Sequence, residues 1–565
     1  MSYILFLNIS ILLLACVFLI INFHPSESHI RSNHLIFGGG SHGGCKGLHS
    51  LDDYKDKCLY VKSNDPCVSQ GYIDYLYLFY CKFGKFPFLG HSLLFLWLLV
   101  LFYLLANTAS EYFCPSLENL SKLLKLSPTI AGVTLLSLGN GANDVFASIV
   151  SFTGTGTREI GFYTVVGGAS FVSCVVVGII STSVRHRRTQ ISKAALIRDV
   201  SFYLLVLLCL IVILVIGKIN VLGAIGFTLI YVVYVIIVYA SSKCSKGICG
   251  ESEINGNSSY GSDLGIPILN GMEKGLVHCV DEGAQEYDTG VEVKKRCFCI
   301  RSTACEICLR ILEMPLYLPR RLTIPVVCEE RWSKPYAISS VTLAPLLLLA
   351  LWIPYKGDGI FNTSQIIWGV GLLIGLVLGV LAFLKTEKSC PPKKCLFPWL
   401  AGGFLMSVTW SYISAQELVG LLVSLGYICG VSPSILGLTV LAWGNSLADL
   451  ITNLTMALHD GSEGTQVAIT GCYAGPIFNI LVGLGLSLVS TSWSEYPSSI
   501  QIPRDPYLLE TLSFLVGGLL WALFVLTRRD MRLDGVLGGG LLVIYFISLF
   551  VRLIQTLGSV QFRGM

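Results

Sequence analysis

Charged side chains are scarce in this sequence. Only 13% of its 565 residues are Asp, Glu, Lys or Arg, whereas a soluble globular domain carries roughly 25%. That shortage, together with 53% hydrophobic residues and a mean hydropathy of +0.70, excludes a soluble fold and indicates a polytopic membrane protein. The net charge is only +4, too little for a nucleic-acid-binding surface. Basic clusters such as "RHRR" (185–188) and "KKR" (294–296) flank apolar runs and read as topology signals instead. A convincing phosphate-binding loop is also missing, so ATP is not implied. Residues 1–22 contain no Lys or Arg. They read as a signal peptide or an uncleaved signal anchor, which would place the following segment, 23–87, in the lumen or outside.

What is present fits that placement. Residues 23–87 hold Cys45, Cys58, Cys67 and Cys81. Four cysteines in a short polar segment behind a targeting sequence suggest disulfides, with three pairings open. His29, His34, His42 and His49 surround "GGGSHGG", read as a polar linker. A span needs about 20 mainly apolar residues. Spans are expected near 88–107, 124–151, 159–183, 198–217 and 219–240. Two more follow near 336–354 and 366–385, then five near 397–419, 430–457, 465–490, 508–527 and 533–556. The chain thus divides into a first repeat (88–240), a cytoplasmic loop (241–335), two linking spans (336–396), a second repeat (397–556) and a tail (557–565). With 23–87 outside, 185–188, 241–335, 385–394 and 527–532 all fall on the cytoplasmic side, where basic residues collect. The sequon at Asn362 falls on the opposite side and is a candidate glycosylation site. Within the loop, Cys297, Cys299, Cys305 and Cys308 match no standard zinc-finger spacing; the loop reads as a regulatory or disordered connector.

An internal repeat organises the chain. "SPTIAGVTLLSLGNGANDVFAS" (127–148) lies over "SPSILGLTVLAWGNSLADLITN" (432–453) without a gap. Identities include Pro128/Pro433, Thr134/Thr439, Gly139/Gly444, Asn140/Asn445 and Asp144/Asp449. Several are polar, so hydrophobic composition does not explain them. Each copy is the second span of a five-span set. Two intervening spans make the second set start from the opposite side, which gives an inverted-topology repeat with its site near the bilayer midplane.

The motifs carry the chemistry. Asn140 with Asp144, and Asn445 with Asp449, are spaced to share one helix face. Each helix then presents an amide oxygen beside a carboxylate, and hard cations take oxygen ligands. Thr134 and Thr439 are possible auxiliary ligands. Gly139, Gly141 and Gly444 favour local unwinding, and Pro128 and Pro433 favour a kink or a helix start. The next span of the second half offers Gly475, for close backbone approach, and Asn479. Its first-half counterpart aligns Gly168 with Gly475 but sets Val172 opposite Asn479, so the site is expected to be asymmetric. A lone intramembrane Asn often serves only helix packing. A carboxylate in a span costs at least a few kcal/mol, and this one recurs at the same repeat position.

"GNGANDVFAS", "GNSLADLITN" and "CYAGPIFNILVGLG" resemble the cation/Ca²⁺ exchanger superfamily, most closely its plant-type cation/calcium exchanger branch, related to the mitochondrial Na⁺/Ca²⁺/Li⁺ exchanger. The resemblance covers most of 88–556. It implies an all-α membrane fold of two inverted five-helix repeats plus two linking spans. It also implies secondary active antiport of Ca²⁺, of monovalent cations (Na⁺, K⁺), or of both, against Na⁺, K⁺ or H⁺ by alternating access, without cofactor or enzymatic activity. Carried over by motif, the ligands are Asn140, Asn143, Asp144, Asn445, Ser446, Asp449, Gly475 and Asn479. The branch often has Pro where this chain has Asn143, and classical exchangers have Glu where it has Asp144 and Asp449. Alternatives are a cation channel and a two-aspartate intramembrane protease; the latter gives no reason for a matching Asn before each Asp. The expected partners are membrane lipid and inorganic cations, with no nucleic acid and the oligomeric state open. The expected location is the secretory and endomembrane system, with plasma or vacuolar membrane favoured and endoplasmic reticulum compatible.

Overall fold

The computed structural model describes residues 48, 51, 53–63, 71–116, 119, 137–153, 158–187, 189–250, 316–327, 331–352, 361–387, 391–392, 396–459, 461–502 and 505–563. The targeting segment 1–22, the four histidines, Cys45, Cys67, Pro128, Thr134 and the loop cysteines 297, 299, 305 and 308 lie outside the described residues. Of Asn140 and Asn362 only the backbone is described, in each case within a helix. The chain divides into two compact units, one of residues 1–43 and 282–406, the other of 44–281 and 407–565.

Eleven described helices are long and apolar enough to cross a membrane. In the segment before them lie α1 (Tyr54–Ser63) and a short α2 (Tyr75–Tyr77) that continues as a π-helical stretch, Leu78–Lys82. Cys58 and Cys81 join these two elements by a disulfide. The first half then comprises α3 (Pro87–Thr108), α4 (Ser137–Thr153), α5 (Arg158–Ser170, continued to Ser183), α6 (Lys193–Ile216) and α7 (Val221–Gly250). Helix α4 carries the first motif, and residues 120–136 before it are not described, so it falls short of the spanning length. The linking spans α8 (Lys334–Trp352) and α9 (Phe361–Lys385) pack on each other in the first unit. Gly375 and Gly379 sit over Thr342, where a Cβ would strike its carbonyl and hydroxyl oxygens. Small residues spaced this way let membrane helices approach closely.

The second half comprises α10 (Leu396–Cys429), α11 (Ala442–His459), α12 (Gly461–Phe478, continued to Ser494), α13 (Pro506–Arg528) and α14 (Gly535–Arg563). Three helices run well past their expected ends. Helix α7 continues ten residues beyond 240 to Gly250, into the expected loop. Helix α10 continues ten residues past the expected end at 419 to Cys429, and α14 runs through most of the expected tail 557–565. The expected end at 419 follows from the roughly 20 residues a span needs, although Glu417 lies inside that span and the apolar run goes on to Cys429. In the structure that carboxylate is buried and accepts hydrogen bonds, so the helix has no reason to stop there.

Hydrogen bonds between links fix the relation of the halves. The link between α5 and α6 meets the link between α13 and α14: Ile191 N–H donates to Met531 O at 3.0 Å and Leu533 N–H to Thr189 O at 3.3 Å. The link between α6 and α7 forms β1 (Lys218–Ile219), which pairs antiparallel with β2 (Ile500–Gln501) between α12 and α13. Gly217 turns the chain into β1 at φ 69°, a left-handed conformation that glycine adopts without a Cβ penalty. Consecutive links of a spanning bundle alternate faces. Here the third-to-fourth link of each half shares a face with the fourth-to-fifth link of the other. Both pairings require the two halves to be inverted.

The four central helices cross reciprocally. Val145 of α4 fills the space at Gly483 beyond α12. Gly167 of α5 lies against Leu438 and Ala442 of the second motif, with a Cβ there falling 2.6 Å from Leu438 O. The third span of each half widens into a π-helical stretch at matching places, Phe171–Val176 and Asn479–Leu484. A further π-helical stretch, Gly437–Leu441, precedes α11. Such wider turns are common at functional sites; Gly139, Gly141 and Gly444, expected to favour local unwinding, lie instead within the regular helices α4 and α11.

Candidate cation site

The motif residues sit where these crossings meet. Asn143, Asp144, Asn445, Ser446 and Asn479 are buried, on α4, α11 and the start of the π-helical stretch after α12. Pro476, inside α12, cannot donate to the carbonyl one turn back, so the helix is weakened just before Asn479.

Asn479 Nδ2 donates to Asp144 Oδ2 at 2.7 Å. This bond joins the first-half carboxylate to a second-half amide, residues 335 apart in the chain. Asn445 lies close enough to influence Asp144, yet neither its Oδ1 nor its Nδ2 completes a hydrogen bond. Asp449 is within electrostatic reach of Asp144. Asp449 is half-buried, whereas Asp144 is only 4% exposed.

The remaining oxygens are notable for their lack of donors. Among the described residues none donates to Asn143 Oδ1, Asp144 Oδ1, Asn445 Oδ1, Ser446 Oγ or Asn479 Oδ1. Buried acceptors are normally satisfied, because an unpaired one costs about 1–3 kcal/mol. A cluster of orphaned amide, hydroxyl and carboxylate oxygens suits a hard cation, which takes oxygen ligands at short range. No cluster of three or more His, Cys, Asp or Glu suited to a resident metal occurs among the described residues. The candidate donors brought together are the Asp144 carboxylate and neutral amide and hydroxyl oxygens, with Asp449 within electrostatic reach.

Other expected residues fall differently. The Thr439 hydroxyl donates to Ile435 O at 2.7 Å, within its own helix. Gly475 faces open space, with nothing within 4 Å of an added Cβ. Close approach belongs instead to its first-half counterpart: a Cβ on Gly168 would stand 3.3 Å from Ser446 Oγ and 3.6 Å from Asp144 Oδ2. Gly141 likewise admits the Asn479 carboxamide against α4. Two polar contacts were not foreseen. Ser148 Oγ lies 3.1 Å from Ser487 Oγ, and Asn453 Nδ2 donates to Asp449 O at 2.8 Å. The repeat register aligns Ser148 with Asn453, and that shared polar position one turn past each Asp was the available signal.

Fold and site together define a polytopic membrane transporter of two inverted repeats. The pattern of the sodium/calcium exchanger protein family matches residues 94–240 and 399–554, one segment in each half. Cation/calcium exchanger 2 of Arabidopsis thaliana is 54% identical over 519 residues, covering 91% of this chain and 92% of that protein. Cation/calcium exchanger 1 of the same plant is 47% identical, covering 94% and 93%. The mitochondrial sodium/calcium exchanger protein of Rattus norvegicus is 30% identical, covering 92% and 91%. The chain belongs to the sodium/calcium exchanger protein family. It is a transporter of inorganic cations, not an enzyme.

Proposed function

We propose that this protein exchanges Ca²⁺, and the monovalent cations Na⁺ and K⁺, against Na⁺, K⁺ or H⁺ by alternating access. The ligands are Asn140, Asn143, Asp144, Asn445, Ser446, Asp449, Gly475 through its carbonyl, and Asn479. The observation that carries this reading is the Asn479–Asp144 hydrogen bond between the halves, set among orphaned buried oxygens. A ligand shell drawn from both repeats is remodelled whenever one repeat shifts against the other, which exposes the ion to alternate sides.

Obligatory exchange follows from electrostatics. With a cation or proton bound, the charge of Asp144 and Asp449 is offset. Without one, two carboxylates would have to cross the apolar barrier together, each costing at least a few kcal/mol. The return step therefore needs a counter-ion, which a channel would not. Asn143 adds an oxygen and, as a non-proline, keeps the helix straight; it contributes to ion preference. The disulfide-bearing segment lies on the non-cytoplasmic side, and the host is a membrane of the secretory and endomembrane system, the plasma or vacuolar membrane ahead of the endoplasmic reticulum.

The test is radiolabelled Ca²⁺, Na⁺ and K⁺ flux in proteoliposomes under imposed ion or pH gradients. Asp144→Ala should reduce exchange to background while the protein still inserts. Wild-type flux in that variant would remove the site assignment, and flux without any counter-ion would indicate conduction.

A further inference from the structure

Glu417 is a buried carboxylate in a spanning helix, and it lies outside the cation site. It stands on α10 and is 7% exposed. The stretch just before and within α2 wraps around it. The Tyr72 N–H donates to Oε1, and the Tyr75 hydroxyl donates to Oε2 at 2.5 Å. Gly71 closes the loop: a Cβ there would fall 3.0 Å from Oε1 and 3.1 Å from Oε2. All the donors are neutral, so the carboxylate is held by hydrogen bonds from one short segment.

The same segment grips α3. Trp97 Nε1 on α3 donates to the Tyr75 hydroxyl at 3.0 Å. Phe79 packs edge-on against His91, with ring centroids 4.7 Å apart, and lies where a Cβ on Gly90 would stand 2.9 Å away. The Cys58–Cys81 disulfide ties this segment to α1. Tyr75 is therefore the shared atom-level link between α10 and α3.

Helix α3 in turn reaches both motifs. Its Phe102 ring occupies the position a side chain on Gly444 would need, one residue before Asn445. In the π-helical stretch that continues α3, Phe113 packs edge-on against Phe146, two residues past Asp144, at 5.9 Å between centroids. We propose that Glu417 is a positioning residue: with Tyr75 it clamps the disulfide-bearing segment between α10 and α3, and so sets the helix that lies over the cation site. The proposal rests on the exchange reading above.

A clamp of this kind acts on the movement of α3 and not on the ion ligands. In proteoliposomes containing the full chain, Glu417→Gln should lower the maximal Ca²⁺ exchange rate about tenfold while the half-saturating Ca²⁺ concentration stays constant. Tyr75→Phe, which deletes one hydroxyl, guards against a folding defect and should lower the rate in the same way. The double variant should be no slower than Glu417→Gln, because both substitutions break one network. Wild-type rates in both single variants, a shift in half-saturation in place of rate, or additive losses would each overturn the proposal. Asp144→Ala separates the two readings: if it stops exchange while Glu417→Gln does not slow it, the clamp fails and the site stands.

Discussion

Asn479 is the residue on which the site most depends for its shape. A lone Asn in a span can serve packing alone, and the sequence does not decide between packing and ligation. Its hydrogen bond to Asp144 decides the neighbourhood: the amide nitrogen is used on the carboxylate, and the amide oxygen is left without a donor. Asn479→Ala removes both. A hydrogen bond to a charged group contributes about 1.5–3 kcal/mol, so the half-saturating Ca²⁺ concentration should rise about tenfold or more. Initial-rate flux against Ca²⁺ concentration measures this; an unchanged half-saturation would reduce Asn479 to a packing role. The two aspartates were legible in sequence because their cost in lipid is high and they recur in register. The partner of Asp144 was not, since it lies on a different helix of the other half and no local spacing encodes it.

At the scale of elements, the crossings of α4, α5, α11 and α12 depend on missing side chains. Gly167→Val would drive atoms into the Leu438 carbonyl and the Ala442 methyl. Overpacking of this kind costs about 1–3 kcal/mol. The thermal unfolding midpoint in detergent should fall, whereas Gly539→Ala, where an added Cβ meets nothing within 4 Å, should leave it in place. Equal midpoints for the two variants would contradict the close crossing. Eleven of the twelve expected spans, and their order, could be read from apolar run length, since the bilayer dictates it; the span expected near 124–151 is described only from Ser137. The continuation of α10 could not be read, because the expected end at 419 came from the length a bilayer needs, and the apolar run 418–429 carries no mark of where the helix stops. The π-helical stretches were equally hidden: the motif glycines suggested unwinding, yet Gly139, Gly141 and Gly444 lie in regular α-helix and the wider turns stand at other positions.

For the whole molecule, inversion was visible twice by independent physics. Basic clusters fall on one side when the spans are counted, and the paired links demand the same arrangement through hydrogen bonds. Engineered cysteines at the exposed positions Lys218 and Gln501 should react with a membrane-impermeant maleimide added from one side of the membrane. Those at Arg187 and Arg529, also exposed, should react only from the other. Labelling of Lys218 and Arg529 from the same side would refute the inverted arrangement.

The stitching of the two halves bears on how the protein is made. β1 leaves the ribosome long before β2, and Asp144 long before Asn479. Until the second repeat is inserted, the first is an open half-bundle with an unpaired strand and a carboxylate facing no amide. Such a half leaves the Asp144 carboxylate within the apolar layer without its amide partner, where an unsatisfied polar group is costly. Maturation is thus a property of the complete chain: neither repeat reaches its final form before the other arrives.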